Sequence, residues 1–211
     1  MGSKISIQTL QRMPMYLNLL KEKDKSEIVN ISAGSIADEL GLVEIQVRKD
    51  LASVSNGGKP KIGYIVSDLI VDIEFALGYT DVNDAVLVGA GRIGRALLSY
   101  EGFKEYGLNI VAAFDIDEKV VGTDESGKQI LHIEKLKDLC ERMKIRIGII
   151  TVPAFCAQVV CDMLVDAGII AIWNFAPTYL KAHDDIMIKN ENMAVSLAEL
   201  SNHLTAKLLE K

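Results

Sequence analysis

Cysteine is scarce in this 211-residue sequence, and the three present form no pattern. Cys140, Cys156 and Cys161 make no CxxC pair and show no metal-ligand spacing, so neither a disulfide scaffold nor a metal site is expected. Cys156 and Cys161 fall in an apolar helical stretch, where a free thiol behaves as a small buried hydrophobe. Long hydrophobic runs are missing as well. The longest, such as Ile110–Phe114 and Ile169–Trp173, span about five residues, far short of a membrane helix at roughly 20. The opening Met1-Gly-Ser-Lys-Ile lacks the apolar core of a secretion signal, so a cytoplasmic location without a membrane partner is expected. Cations are not in excess either. A net charge of −6 argues against non-specific nucleic-acid binding by the whole surface. Histidine is limited to His132, His183 and His203, all read as helix or loop positions.

What is present is sharper. Ala85–Val88 is an apolar run that ends in Gly89-x-Gly91-x-x-Gly94, the pattern of a buried parallel strand turning into a helix. Gly89 permits the tight turn, Gly91 lets backbone approach a pyrophosphate, and Gly94 lets the helix pack on the strand. Ala90, Arg92 and Ile93 complete the loop, whose helix N-terminus offers N–H groups to phosphate. Asn109–Phe114 reads as a second strand with Asp115 at its end, about 20 residues beyond Gly94, where a carboxylate accepts hydrogen bonds from a ribose and favours NAD(H) over NADP(H). Strands near 85–88, 109–114, 146–151 and 169–173 alternate with helices near 92–106, 133–143 and 154–167. That order predicts a Rossmann-type, doubly wound α/β sheet. A short apolar stretch at Ile186–Ile188 and a last helix from about Asn190 to Glu210 follow. Leu197, Leu200, Leu204 and Leu208 stripe that helix after the sheet is complete, so they need a covering surface: their own domain or a partner subunit.

About 80 residues precede the fingerprint. Residues 5–25 read as a helix with Thr9 as cap, Pro14 in its first turns, and Met13, Tyr16, Leu17, Leu19 and Leu20 as its stripe. Ile31–Gly41 is a short helix capped by Ser32 or Ser35 and ended by Gly41. Val43–Val54 is a third helix, with Val43, Val47, Leu51 and Val54 as its buried stripe and Glu44, Gln46, Arg48 and Lys49 on the opposite face. A turn at Asn56–Pro60, a strand over Lys61–Ser67 and a helix over Asp68–Gly78 complete the segment. Helix, short helix, turn, helix and glycine-rich hairpin is the order of a winged helix-turn-helix, which would lay the 43–54 helix in a DNA major groove. The same pattern also fits a plain three-helix bundle with a solvated polar face. Between Leu42 and Tyr64 four cations (Arg48, Lys49, Lys59, Lys61) face two anions (Glu44, Asp50), a local surplus of two.

Taken together, these motifs resemble the Rex family of redox-sensing transcriptional repressors over essentially the whole length. They are Ile5–Arg12 with Pro14 and Tyr16, Gln46-Val-Arg-Lys-Asp-Leu51, Gly63-Tyr64, Val88–Gly94, Ala96–Leu98 with Tyr100, Gly102 and Phe103, Ala113–Asp117, Val152–Ala154 with Ala157 and Gln158, and Trp173–Pro177. The QVRKDL and NFAP strings are the most specific. The resemblance implies a homodimer that binds double-stranded operator DNA through winged-helix domains and senses NADH against NAD⁺ in its Rossmann domains, releasing DNA when NADH rises. It divides the chain into a winged-helix domain (1–80), a Rossmann domain (81–190) and a C-terminal helix (191–211) exchanged between subunits.

By the same resemblance, Gly89–Gly94 hold the pyrophosphate, Asp115 the ribose, and Thr151, Val152 and Pro153 the strand-end edge of the site. Asn174, Phe175 and Ala176 face the nicotinamide. Gln46, Arg48 and Lys49 read the major groove, while Ser32, Ser35, Lys59 and Lys61 meet the DNA backbone. Arg12 and Tyr100 link the domains with a carboxylate of the C-terminal helix. The sequence departs from the family at three places. Asn192 stands where the family has Asp, and an amide cannot form the charged pair with Arg12. The wing, Val54–Lys61, carries Lys59 and Lys61 in place of the family's aromatic and Arg, and Arg92 occupies a usually neutral loop position. An enzyme is not expected, since no catalytic acid or substrate domain is visible. A small NAD-dependent oxidoreductase and an NAD(H)-binding regulator acting through protein partners remain the alternatives.

Overall fold

Apolar spacings of three and four residues build the first of two units, Met1–Asp81 and Val82–Lys211, into which the chain divides. A computed structural model describes residues 5–209. In the first unit, α1 (Ile7–Lys25) buries Met13, Tyr16, Leu17, Leu19 and Leu20 as expected. Its cap is Ser6 and not Thr9: the Ser6 hydroxyl accepts the Thr9 N–H at 3.1 Å, and the Thr9 side chain turns inward. Pro14 sits in the helix interior rather than its first turns, so it withholds one N–H from the ladder. The buried Tyr16, Leu17 and Leu20 anchor the helix across that gap.

A hairpin of β1 (Asn30–Ile31) and β2 (Tyr64–Ile65) encloses α2 (Ala33–Leu40) and α3 (Glu44–Val54), and α4 (Val66–Leu77) packs on α1. Ser32 caps α2 through the Ser35 N–H, and Gly41 ends it in the left-handed region. The expected strand over Lys61–Ser67 shrinks to Tyr64–Ile65, because Val66 already begins α4. The wing is a tight loop in which Lys59 and Gly63 exchange backbone hydrogen bonds at 2.8 and 2.9 Å. Gly63 is obligatory there: at φ +83° a Cβ would lie 2.2 Å from the Ile31 carbonyl oxygen. Val43 leaves the buried stripe to which its spacing assigns it. It is the residue before α3, extended at φ −83° and ψ 123°, and 68% exposed.

The second unit is a seven-stranded sheet in the order β5-β6-β4-β3-β7-β8-β9. Its strands are β3 (Asn83–Val88), β4 (Leu108–Asp115), β5 (Gly122–Thr123), β6 (Gln129–His132), β7 (Ile147–Ile150), β8 (Ala171–Asn174) and β9 (Met187–Asn190). All neighbours pair in parallel except β5 with β6. Helices α5 (Arg92–Ser99), α6 (Leu136–Met143) and α7 (Ala154–Asp166) form the crossovers, and α8 (Met193–Leu209) ends the described chain. Alternation along β3 explains its unbroken apolar sequence: Val86 and Val88 join one buried cluster, Ala85 and Leu87 another. The expected Rossmann-type sheet is therefore present, with three strands beyond the four expected: β5 and β6, which periodicity did not announce, and β9, which the short apolar stretch at Ile186–Ile188 marked without identifying as a strand. The helix expected over 92–106 stops at Ser99. Tyr100 is extended, and Glu101–Tyr106 continue as a 3₁₀ turn. The last helix begins at Met193, after Asn190 is taken into β9. Its expected end at Glu210 lies outside the described residues.

Candidate functional site

From β3 the chain winds outward through β4 and β6, then crosses back to lay β7 against the other side of β3. That reversal places a crevice at the strand C-termini, where open α/β sheets bind ligands. A cleft of about 560 Å³ lies there. Val88, Gly89 and Gly91 form its floor, Asp115 one edge, and Thr151, Val152 and Pro153 the other. The glycines divide the work. A Cβ on Gly94 would fall 1.9 Å from the Gly89 carbonyl oxygen, so this glycine brings α5 onto the sheet; a Cβ on Gly91 would meet nothing within 4 Å, so this one keeps space open. The Thr151 hydroxyl donates to the carbonyls of Gly89 (2.7 Å) and Val88 (3.1 Å), tying the loop to β7. Asp115 accepts the Ala90 N–H at 2.7 Å and the Asp117 N–H at 3.0 Å, which fixes the carboxylate beside the loop. The first N–H groups of α5 have no partner within the helix and open toward the same place.

Several lining residues were not singled out from the sequence. Outside the lining, Arg95 donates from Nε to the Ala90 carbonyl at 3.0 Å and braces the loop, whereas Arg92 makes no such bond; both arginines are exposed. Phe155, Cys156, Val159, Val160 and Met163 line the cleft from α7, with Ile116 and Ile133 opposite. Cys156 is thus a half-buried wall residue and not the core hydrophobe expected of it; Cys161 does belong to the core. Asn174, Phe175 and Ala176 do not line this cleft. Asn174 is fully buried and consumed internally: Nδ2 donates to the carbonyl of Thr178 and to Asn190 Oδ1, each at 2.8 Å, and Oδ1 accepts the Ala176 N–H at 3.0 Å. Phe175 packs on Trp173 with ring centroids 4.7 Å apart.

In the first unit, the exposed face of α3 carries Glu44, Ile45, Arg48 and Lys49, with Val47 and Leu51 in the core. Arg48 is paired with Glu44 one turn away. Gln46 donates to Asp50 Oδ1 at 2.9 Å. Ser32 and Ser35 hydroxyls are exposed and 2.9 Å apart at the start of α2. Ser32 shares a hollow with Glu44, Arg48, Lys59 and Lys61, so three of the four expected backbone-contacting residues converge there; Ser35 stands outside it, as do Gln46 and Lys49 of the expected groove readers.

Beneath this face lies a buried cluster that the sequence did not reveal. Asp50, 2% exposed, accepts Arg12 Nε at 2.6 Å and Nη2 at 2.8 Å, the Tyr16 hydroxyl at 2.8 Å and the Thr9 hydroxyl at 3.0 Å. Burial opposes its charge, but the hydrogen bonds from Arg12, Tyr16, Gln46 and Thr9 together hold the carboxyl below its usual range. Burial, and then Asp50, push the Tyr16 hydroxyl up to about 12. Arg12 is therefore matched by a carboxylate within its own unit. Tyr100 is half exposed and packs edge-on against Phe103 at 4.9 Å. Asn192 accepts the Ala194 N–H at 3.0 Å and so caps α8. No described residue of α8 is buried, its leucines included. Among the described residues no helix is long and apolar enough to cross a membrane, and no cluster of potential metal ligands occurs.

Residues 80–178 match the family model for a CoA binding domain, and residues 4–52 match that for a putative DNA-binding protein N-terminus. The redox-sensing transcriptional repressor Rex of Bacteroides thetaiotaomicron is 38% identical over 96% of this chain and 92% of its own. That of Desulforamulus reducens is 39% identical over 97% of each. Among solved structures, RSP in complex with β-NAD⁺ and operator DNA superposes with a TM-score of 0.91 at 32% identity, covering 98% of this chain and 95% of that one. RSP in complex with β-NADH gives 0.86 at the same identity, over 98% and 97%.

Proposed function

The chain belongs to the Rex family of redox-sensing transcriptional repressors, and from that premise we propose how its residues divide the work of sensing and of binding DNA. The protein is a repressor that binds operator DNA while NAD⁺ dominates and releases it when NADH rises. The dinucleotide lies in the cleft of the second unit. Gly91 and the first N–H groups of α5 hold its pyrophosphate, Asp115 its ribose hydroxyls, and Thr151–Pro153 one flank. The open space over Gly91, set beside an anchored Asp115, is the observation that carries this reading. Asn174 and Ala176 act on the nicotinamide end through the backbone they brace, since the Asn174 side chain is spent within it.

NADH and NAD⁺ differ by a hydride and by the positive charge of the oxidised ring, and the cofactor is read for that difference, not consumed. The lining of the cleft supports a binder over a catalyst: its ionisable side chains are Asp115 and Cys156, set among Val, Ile, Phe and Met. In the first unit α3 enters the major groove, and Ser32, Lys59 and Lys61 meet phosphates, positioning without specifying. The chain acts as a homodimer whose subunits cover each other's α8 leucines. Coupling between nucleotide and DNA is a difference in affinity between two states, so it is reciprocal.

The test is the operator duplex bound by RSP, fluorescently labelled and titrated with the full-length protein in NAD⁺ and in NADH. Affinity at least ten-fold weaker in NADH is expected, a coupling of about 1.4 kcal/mol. Equal affinity with both nucleotides would remove the sensing role, and no preference for this duplex over scrambled DNA would remove the repressor role.

A further inference from the structure

Two large aliphatic side chains stand in water at the start of α3: Val43 is 68% exposed and Ile45 is 66% exposed. Neither side chain belongs to the core. The α3 core face is Val47 and Leu51, and Val43, the residue before the helix, makes no side-chain cap where Ser, Asp or Asn would. Ile45 precedes Arg48 by three residues and Lys49 by four, so it shares their face one turn closer to the N-terminus. The polar groups nearest it are already engaged: Arg48 with Glu44, Gln46 with Asp50. With Lys49, the aliphatic pair is the part of this face that can meet a partner without first breaking a bond.

A strip that is cationic behind and aliphatic in front matches one surface closely. The DNA major groove presents phosphates along its walls and, at each A·T pair, the thymine 5-methyl group, its one apolar feature. Residues at the N-terminus of a recognition helix are those that reach base edges. We infer that Ile45, flanked by Val43, packs against a thymine methyl group in each operator half-site and specifies A·T there by apolar contact. The inference rests on α3 entering the major groove, as proposed above.

Deoxyuridine lacks only that methyl. Each thymine of the operator duplex bound by RSP is replaced in turn, symmetrically in both half-sites, and affinity for the full-length protein is measured in NAD⁺. At one or two thymines the loss should be about four-fold per half-site, the equilibrium equivalent of one buried methyl group. In Ile45→Ala that loss should shrink toward one-fold at the same thymine, and Val43→Ala should diminish it partly. Both positions are exposed, so both variants keep the wild-type unfolding midpoint, which is measured alongside. A flat deoxyuridine scan overturns the inference, as does a penalty that persists unchanged in Ile45→Ala and Val43→Ala. Failure of the wild type to bind the all-thymine duplex overturns the major-groove reading instead, and this inference falls with it.

Discussion

Adding one methyl group to each of two neighbouring glycines separates packing from ligand approach. In Gly94→Ala the new Cβ would lie 1.9 Å from the Gly89 carbonyl oxygen and 2.9 Å from Thr151 Oγ1. An ordinary carbon–oxygen contact needs about 3.3 Å. The neighbour is backbone, so α5 must back away from the sheet by more than an ångström. Overpacking of this kind costs about 1–3 kcal/mol, a fall of roughly 5–10 °C in the unfolding midpoint of a domain this size. In Gly91→Ala the Cβ meets nothing within 4 Å, and the backbone at φ −74° and ψ −166° suits any residue. Without nucleotide that variant should unfold within about 1 °C of the wild type. Its NADH affinity should nevertheless drop ten-fold or more, about the value of one lost charge-assisted hydrogen bond. Thermal unfolding followed through the single tryptophan, Trp173 in β8, reports on the correct unit, and NADH fluorescence gives the affinity. If Gly91→Ala binds NADH as the wild type does, the pyrophosphate does not pass over this loop. If Gly94→Ala leaves the midpoint unmoved, the close-packing argument is wrong.

The buried cluster of the first unit yields two further expectations. Asp50→Ala leaves the Arg12 guanidinium and the Tyr16 and Thr9 hydroxyls without their acceptor and should destabilise that unit by about 3–4 kcal/mol. Urea unfolding by circular dichroism should show an early first transition while Trp173 fluorescence keeps its midpoint, and a shift under about 1 kcal/mol would refute the role. The same unit should weaken at both ends of the pH scale. The Asp50 carboxyl is held below its ordinary 3.8, so its contribution is complete above that value and is lost as pH falls through the lowered one. Tyr16 is raised from 10.0 to about 12, so its contribution is complete below 10 and is lost toward 12. Asp50→Asn should shrink the acid limb and part of the alkaline one in a stability-versus-pH series. Finally, Leu200→Glu with Leu204→Glu on α8 should convert a dimer to a monomer in sedimentation velocity, and a double variant that stays dimeric excludes these leucines from the subunit contact.

The fingerprint was legible because its requirements fall on the backbone. Only glycine satisfies the contact at Gly94 and the φ of +103° at Gly89, and both leave a fixed spacing in the sequence. The sheet around it was legible because parallel strands buried on both faces are continuous apolar runs. β5 and β6 escaped since Gly122–Thr123 and Gln129–His132 are short and half polar, held by pairing (β6 to β4, β5 to β6) instead of by their own pattern. Val43 was misplaced for a related reason. Helical spacing was counted from a residue whose extended backbone lies outside the helix. The cleft wall could have been read: Cys156, Val159 and Met163 follow one helical stripe of α7, while Ala157, Cys161 and Leu164 follow another into the core, with Val160 shared between the two. One helix with two apolar stripes has two surfaces to cover. Asp50 was beyond reach, because its partner Arg12 lies 38 residues away and nothing in the intervening pattern joins them.

The resemblance implies that the amide of Asn192 deprives Arg12 of a charged partner, but Asp50 supplies that charge through two hydrogen bonds of 2.6 and 2.8 Å. Any acceptor that draws Arg12 away competes against a bidentate ion pair whose carboxylate is almost fully buried, and it leaves that carboxylate to Thr9, Tyr16 and Gln46 alone. A neutral amide brings too little to such a competition, whereas a carboxylate matches the charge that is lost. An acceptor that succeeded would loosen Asp50, and Asp50 sits on the helix that carries Arg48 and Lys49. The Arg12–Asp50 pair therefore bears on how firmly α3 is held within the first unit.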